Sequence, residues 1–235
     1  RTFPKEWLER VAVLAMKKGE HPAELGRRRD LWIEAHGSKL LMLLMGGEYD
    51  KAAAAKVPSC QGGFEKGKAA PGRTLILRFQ QEQCVSERAG CYRAMADYGV
   101  FFMSCAREVM EKVERWSGVR PEVTDVVMAL HNESKGRYET AYGLTEPFAY
   151  LQGNPQGCTQ SPCRSKLMLA LVQGAVRKLC KGFRFRGAGR RTPQTYFADD
   201  GAFLADDLAT LQLMLDTCWM VARVAGLRMI VKADG

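Results

Sequence analysis

Asp199 and Asp200 stand side by side in an otherwise apolar run, Tyr196-Phe197-Ala198-Asp199-Asp200-Gly201-Ala202-Phe203-Leu204. Burying two ionised carboxylates is costly, so the β-formers on either side read as two short strands and the acids as their turn. A hairpin needs further strands and a covered face. Met95 to Phe102, apolar and aromatic but broken by Asp97 and Gly99, reads as a buried strand, and Met229 to Val231 as a closing one. Val109, Met110, Val113 and Trp116 keep helical spacing, with Ser104 as the expected cap and Gly118 as the stop. Glu122 to Leu130 predicts another helix. Ser161-Pro162 predicts a helix start with Ser as N-cap, leading into the almost wholly apolar Leu167 to Leu179. Asp206 is expected to cap a last helix with Leu208, Leu211, Leu215, Trp219 and Ala222 on one face. This order predicts an α+β fold, an antiparallel sheet backed by helices.

Upstream, Val11 to Met16 reads as a strand, Lys17-Lys18-Gly19 as a turn and Arg27-Arg28-Arg29 as a basic loop. Ser38 to Ala55 predicts a helix anchored by Leu40, Leu41, Leu44 and Tyr49. Val57 to Gly72 is loop-rich, and a helix is expected from about Thr74 into Ala89. Gly136 to Glu139 and Gly182 to Arg186 are candidate strands. With 46% hydrophobic and 26% charged residues, the 235-residue chain is neither disordered nor collagen-like. No apolar run approaches the ~20 residues of a membrane helix, so no membrane partner is expected. The eight cysteines form no Cys-x-x-Cys pair, which favours reduced, packed thiols in an intracellular protein over zinc. The chain begins without Met and stops at Gly235 in the middle of a pattern, so it reads as a piece of a longer protein. Lys and Arg outnumber Asp and Glu 35 to 26, a net charge of +9 that favours a polyanion, nucleic acid being the commonest.

Two acids at a turn, joined by a third on a neighbouring strand, can hold two divalent ions about 3.5–4 Å apart for phosphoryl transfer. Mg2+ suits carboxylates, water and phosphates. Asp97 is the candidate third acid, because an Asp within a buried strand must be paired, metal-bound or turned to solvent at an edge. Arg177 to Arg191 carries seven basic residues in 15, among them Lys181, Arg184, Arg186, Arg190 and Arg191, with Phe183 and Phe185 between them. Such a stretch suits a nucleic-acid backbone, or else a helix end followed by a solvated hairpin.

Phe197-Ala198-Asp199-Asp200 resembles the Tyr/Phe-x-Asp-Asp motif of the reverse transcriptase family, especially the polymerases of non-LTR (LINE-like) retrotransposons. Gln156-Gly157-Cys158-Thr159-Gln160-Ser161-Pro162 matches the family's Gln-Gly-x-x-x-Ser-Pro motif in full. Asp97-Tyr98-Gly99-Val100-Phe101-Phe102 matches its first-acid motif. Looser resemblances cover Lys17-Lys18-Gly19, Arg29 to Lys39, Gln61-Gly62-Gly63-Phe64 and Gly226-Leu227, all in the family's order. Asp30, Glu65, Met103, Ile230 and Lys232 depart from the family pattern; the three acids do not.

The resemblance implies a right-hand polymerase with fingers over residues 1–90 and a palm over 91–235, the thumb lying outside this chain. Asp97 and Asp199 would bind two Mg2+ (or Mn2+), with Asp200 assisting and the Tyr98 carbonyl as a further ligand. Lys17 and Arg29 would neutralise the triphosphate, and Gln156 and Gly157 would line the nucleotide and template side. Phe102 would exclude a ribose 2′-hydroxyl, provided the chain leaves the strand after Asp97, a break that Gly99 permits. The expected partners are an RNA template, a DNA primer and deoxynucleoside triphosphates, with a nuclear location open. A viral-type RNA-directed RNA polymerase and a copy that binds nucleic acid without catalysis remain alternatives.

Overall fold

The computed structural model describes residues 2–15 and 29–232. A short helix α1 (Lys5–Leu8) leads into strands β1 (Glu9–Ala15) and β2 (Arg29–Glu34), followed by helices α2 (His36–Lys56) and α3 (Ala70–Glu87). Strand β3 (Tyr92–Gly99) gives way to the single turn α4 (Phe101–Ser104), then α5 (Arg107–Ser117) and α6 (Pro121–Glu133). Strands β4 (Lys135–Thr140), β5 (Gly143–Leu144) and β6 (Phe148–Ala149) precede the long helix α7 (Ser161–Leu179). The hairpin β7 (Gln194–Phe197) and β8 (Asp200–Ala205), helix α8 (Leu208–Val224) and strand β9 (Arg228–Lys232) complete the chain. No helix among the described residues is long and apolar enough to cross a membrane.

The expected antiparallel sheet has the order β7-β8-β3-β9, every pair antiparallel. Ala96, Tyr98, Tyr196, Phe203 and Ala205 enter one core with Met110, Val113, Leu167, Met168, Val172 and Met214 of the helices. Strand alternation turns Asp97 and Asp200 to the opposite face. A second, mixed sheet has the order β2-β1-β4-β5, with β1 parallel to β4. It pairs strands from both sides of residue 90, and Met42 and Tyr49 of α2 share the main core with α5 and α7.

Several local expectations are corrected. Arg29 opens strand β2 instead of closing a loop, because its pairing partner Ala15 extends the ladder. On α2, Leu40 and Leu44 are exposed. The buried face is Ser38, Met42, Gly46, Tyr49, Ala52 and Ala53. Its small residues allow close approach: a Cβ on Gly46 would lie 2.5 Å from Gln160 Nε2. Ser104 does not cap α5; its hydroxyl turns back to the Phe101 carbonyl, 3.1 Å away. Ser161 lies inside α7 and donates to Pro155 O at 2.7 Å, so Gln160 occupies the cap position. Asp207, not Asp206, caps α8 by accepting from Thr210 N. Asp206 instead receives Arg191 and the Arg184 N–H. On α8, Leu208 and Trp219 are exposed, and Leu211, Met214, Thr217, Cys218 and Ala222 are buried. Residues 182–186 form no strand, only a bridge from Phe183 to Thr192.

The polar centre of the core is an ion pair. Arg164 near the start of α7 donates to Glu114 of α5 at 2.5 Å, both side chains almost fully buried. Tyr49 of α2 donates to the other Glu114 oxygen at 2.9 Å, and Arg164 also meets His131 Nδ1 of α6 at 2.9 Å. Burial works against the Arg164 charge, but Glu114 and the neighbouring groups hold its pKa above the ordinary value. His131 is pushed well down, first by burial and then by Arg164, Arg10 and Arg107. A neutral His131 can accept from Arg164, which only donates. Removing one partner of such a pair strands the other charge, at a cost of about 3–5 kcal/mol. Glu114→Gln is therefore expected to lower the urea unfolding free energy by about that amount. The exposed Glu111→Gln change, which loosens only Arg115 on the surface, should leave the midpoint unchanged.

Candidate active site

Asp199 sits in the two-residue turn between β7 and β8, and Asp200 begins β8. Asp97 lies on β3, one step beyond the last ladder pair with β8, Ala96 with Gly201, and opposite Ile230 on β9. The hairpin thus brings the three acids to one end of the sheet, with Asp97 and Asp200 on the face opposite the α5, α7 and α8 core, where α3 packs on Leu204 further along β8. Asp97 accepts from the Tyr98 N–H at 2.8 Å. Burial raises the Asp199 carboxyl above its ordinary value. Asp200 and Asp97 push the same way, against a backbone hydrogen bond and Arg29. The three carboxylates therefore feel one another, and Arg29 at the start of β2 is close enough to be felt as well.

This donor set fits hard divalent cations, because it offers only carboxylate oxygens whose mutual repulsion a cation would relieve. It is more open than a single-ion cage. Among the described residues, only Glu34, His131 and Cys158 bring three ligand atoms within 4.8 Å of one another. That buried set is a poor cation host: Arg10 lies 3.3 Å from Glu34 and Arg164 occupies His131. Asp97, Asp199 and Asp200 do not bring their ligand atoms that close to one another.

Tyr98 turns its side chain into the core, with its hydroxyl 3.2 Å from Cys218 Sγ and 3.4 Å from the Tyr196 hydroxyl. The chain leaves the strand at Val100, whose φ is +50°, and not at Gly99, which still pairs with Arg228. Phe102 then lies on the α4 turn, half-buried, with ring contacts to Phe101 at 5.5 Å and Phe64 at 6.2 Å. The Gln156–Gly157 segment lies along β2: Trp32 N donates to Gln156 O at 2.7 Å. A Cβ on Gly157 (φ +120°) would come within 2.4 Å of Trp32 O. The close approach that requires glycine here is to the chain's own strand. Lys17 lies outside the described residues.

The basic stretch lies at the other end of the hairpin. Phe183 N donates to Leu204 O, and four residues of strand, about 13 Å, separate Leu204 from Asp200. Arg186 pairs with Glu87 at 3.1 Å, and Arg191 with Asp206. Lys181, Arg184 and Arg190 are exposed. Together with Gln83, Cys84 and Phe185 the loop borders a cleft of about 690 Å³.

The site also contains residues that the motifs did not single out for it. The loop after α2 forms a parallel bridge from Gln61 to Tyr196 on β7. Lys166 of α7 ties this loop down through Glu65, at 2.6 Å, and Phe64 O. The only signal upstream was the loose Gln-x-Gly-Phe match.

No family model matches the chain, and no curated protein matches it in sequence. Solved structures do. Apo telomerase from Candida tropicalis, truncated of its C-terminal domain, superposes with a TM-score of 0.62 at 11% identity, over 100% of this chain and 52% of that one. Telomerase from Candida albicans, in complex with the TWJ fragment of telomeric RNA, gives 0.59 at 8% identity, over 99% and 43%. The chain spans about half the length of these telomerases. At such identities the likeness shows the fold alone, which this chain shares with these telomerase structures.

A carboxyl whose pKa is raised by folding stabilises the fold only below its unfolded value, ~3.9, and loses that contribution as pH rises through the folded value. Ionised Asp199 is thus a liability to the metal-free protein at neutral pH. Asp199→Asn should raise the metal-free Tm at pH 7, and the gain should vanish near about pH 3, where the carboxyl is protonated in both states. Millimolar Mg2+ should raise the Tm of the wild type more than that of the variant.

Proposed function

We propose that the chain is the polymerase portion of a reverse transcriptase, adding deoxynucleotides to a primer 3′ end along an RNA template. The observation that carries this reading is the meeting of Asp97, Asp199 and Asp200 at one end of an antiparallel sheet, within a fold shared with telomerase. The full Gln-Gly-x-x-x-Ser-Pro and Phe-Ala-Asp-Asp matches support a retrotransposon source of the non-LTR kind, and with it an intracellular, nuclear setting. The RNA bound in the Candida albicans structure supports a nucleic-acid partner, as does the net charge of +9.

Asp97 and Asp199, with Asp200 and the Tyr98 carbonyl, would hold two Mg2+ ions. When bound, these activate the attacking 3′-hydroxyl and stabilise the leaving phosphate. Arg29 offsets the triphosphate charge, and its planar guanidinium suits bidentate phosphate contact. Lys17 would share that task. Gln156 and Gly157, anchored on β2, border the nucleotide and template side. Phe102 leaves a ribose 2′-hydroxyl without room or a hydrogen-bond partner. The basic loop is too far from the acids to reach the reacting phosphate, so its contacts would be to nucleic-acid backbone elsewhere.

Primer extension should need Mg2+ or Mn2+ and fall by several orders of magnitude in Asp97→Asn or Asp199→Asn. Equal extension by Asp199→Asn would refute the catalytic assignment, while unimpaired template binding without extension in the wild type would favour the non-catalytic alternative. Phe102→Val should raise ribonucleotide incorporation relative to deoxynucleotide; a uniform loss with unchanged selectivity would assign the ring to packing. Replacing Arg184 and Arg186 by Ala should flatten the dependence of log K on log[salt] by roughly one unit per lost phosphate contact. An unchanged slope would mean the loop faces solvent.

A further inference from the structure

Ala198, the residue before Asp199, holds φ at +56°, a left-handed conformation that costs a residue with a Cβ and that nothing in its own side chain stabilises. The backbone there is gripped from outside. Gln61 Oε1 accepts from Ala198 N at 2.9 Å, and Gln61 Nε2 donates to Ala198 O at 3.0 Å. One amide side chain therefore holds both polar groups of the strained residue. Gln61 is completely buried, and its Oε1 also accepts from Gly63 N at 2.8 Å. Its loop is fastened to the strand beneath: Gly62 N donates to Tyr196 O, and Tyr196 N to Cys60 O, both at 2.8 Å. Gly63 has to be glycine for this docking, since a Cβ would lie 2.0 Å from Ala198 N.

We propose that Gln61 is a positioning residue for the acid turn, fixing Ala198 in its left-handed conformation so that Asp199 is presented towards Asp97. The proposal rests on the reading of the three acids as a divalent-cation site. Gln61 itself touches neither cation nor substrate. An amide is the side chain that fits, because the role needs a donor and an acceptor on one planar group. Glutamate could accept from Ala198 N but not donate to its carbonyl, and methionine of similar length could do neither.

The test is Mn2+ binding to the full chain without nucleotide or nucleic acid, read by electron paramagnetic resonance, beside amide hydrogen exchange at Ala198. Four proteins are compared: wild type, Gln61→Met, Asp199→Asn and Lys166→Met. The last loosens the same loop from α7 without touching the turn, so it reports general loop damage. Gln61→Met should weaken Mn2+ binding by roughly ten- to a hundred-fold, the range for residues that orient metal ligands, and speed exchange at Ala198. Lys166→Met should lower Tm with a much smaller effect on Mn2+. If Gln61→Met lowers Tm but binds Mn2+ as the wild type does, while Asp199→Asn does not, the proposal is wrong and the cation-site reading stands. If Asp199→Asn also binds like the wild type, it is the cation-site reading that fails.

Should Gln61→Met not fold, the Ala198→Gly background supplies the decision, because glycine adopts positive φ without strain. The loss of Mn2+ affinity caused by Gln61→Glu should be smaller in Ala198→Gly than in the wild type. An equal loss in both backgrounds would overturn the role in holding Ala198.

Discussion

The Arg164–Glu114 pair is the interaction on which the rest of the molecule depends. It joins α7 to α5, and through Tyr49 and His131 it also binds α2 and α6. A charge this deeply buried tolerates little displacement, because any loss of geometry leaves it unsolvated and unpaired. Its value is one of register rather than net stability: apolar residues could fill the same space, but they would not fix the rotation of α7 about its axis. That rotation matters because Lys166, two residues on, points to the opposite neighbour, the Phe64–Glu65 loop. The buried ion pair thus sets where the loop is held, and the loop reaches the acid turn through Gln61.

The acid hairpin was legible because its two signals agree: apolar β-formers demand burial and adjacent carboxylates forbid it. The long apolar helix and the Gly118 stop, whose φ is +95°, were legible for the same reason, local preference and global placement coinciding. Helix faces were less so. On α2 the leucines look like anchors by size, yet the helix buries Met42, Gly46, Tyr49, Ala52 and Ala53, with Gly46 required by the close approach of Gln160 just before α7. The caps failed where a polar side chain had a better partner than the expected one. Ser161 is drawn to Pro155 O, and Asp206 to Arg191 and the Arg184 backbone.

The relation between distant segments was not legible at all. Hydrophobic patterning does not say that the segment after α6 returns to pair in parallel with β1, nor that Gln156 hydrogen-bonds along β2. Nor does the run from Arg177 to Arg191 reveal its distance from the acids, since it immediately precedes the hairpin in sequence. A strand carries its two ends apart at about 3.3 Å per residue, so chain proximity to β7 means spatial distance from the tip.

Left-handed residues other than glycine draw these strands together. Four occur among the described residues, and Phe64, Val100 and Ala198 are three of them. Val100 is β-branched, for which positive φ is a true outlier, and it ends the strand that carries Asp97. Ala198 precedes Asp199. Phe64 lies on the loop that touches both neighbourhoods, its ring against Phe102 after the Val100 break and its loop-mate Gln61 on Ala198. Backbone strain of this kind persists only where surrounding contacts overdetermine it. Here a single loop, held down by Lys166, packs on Phe102 just beyond the strand that carries Asp97 and grips Ala198 just before Asp199.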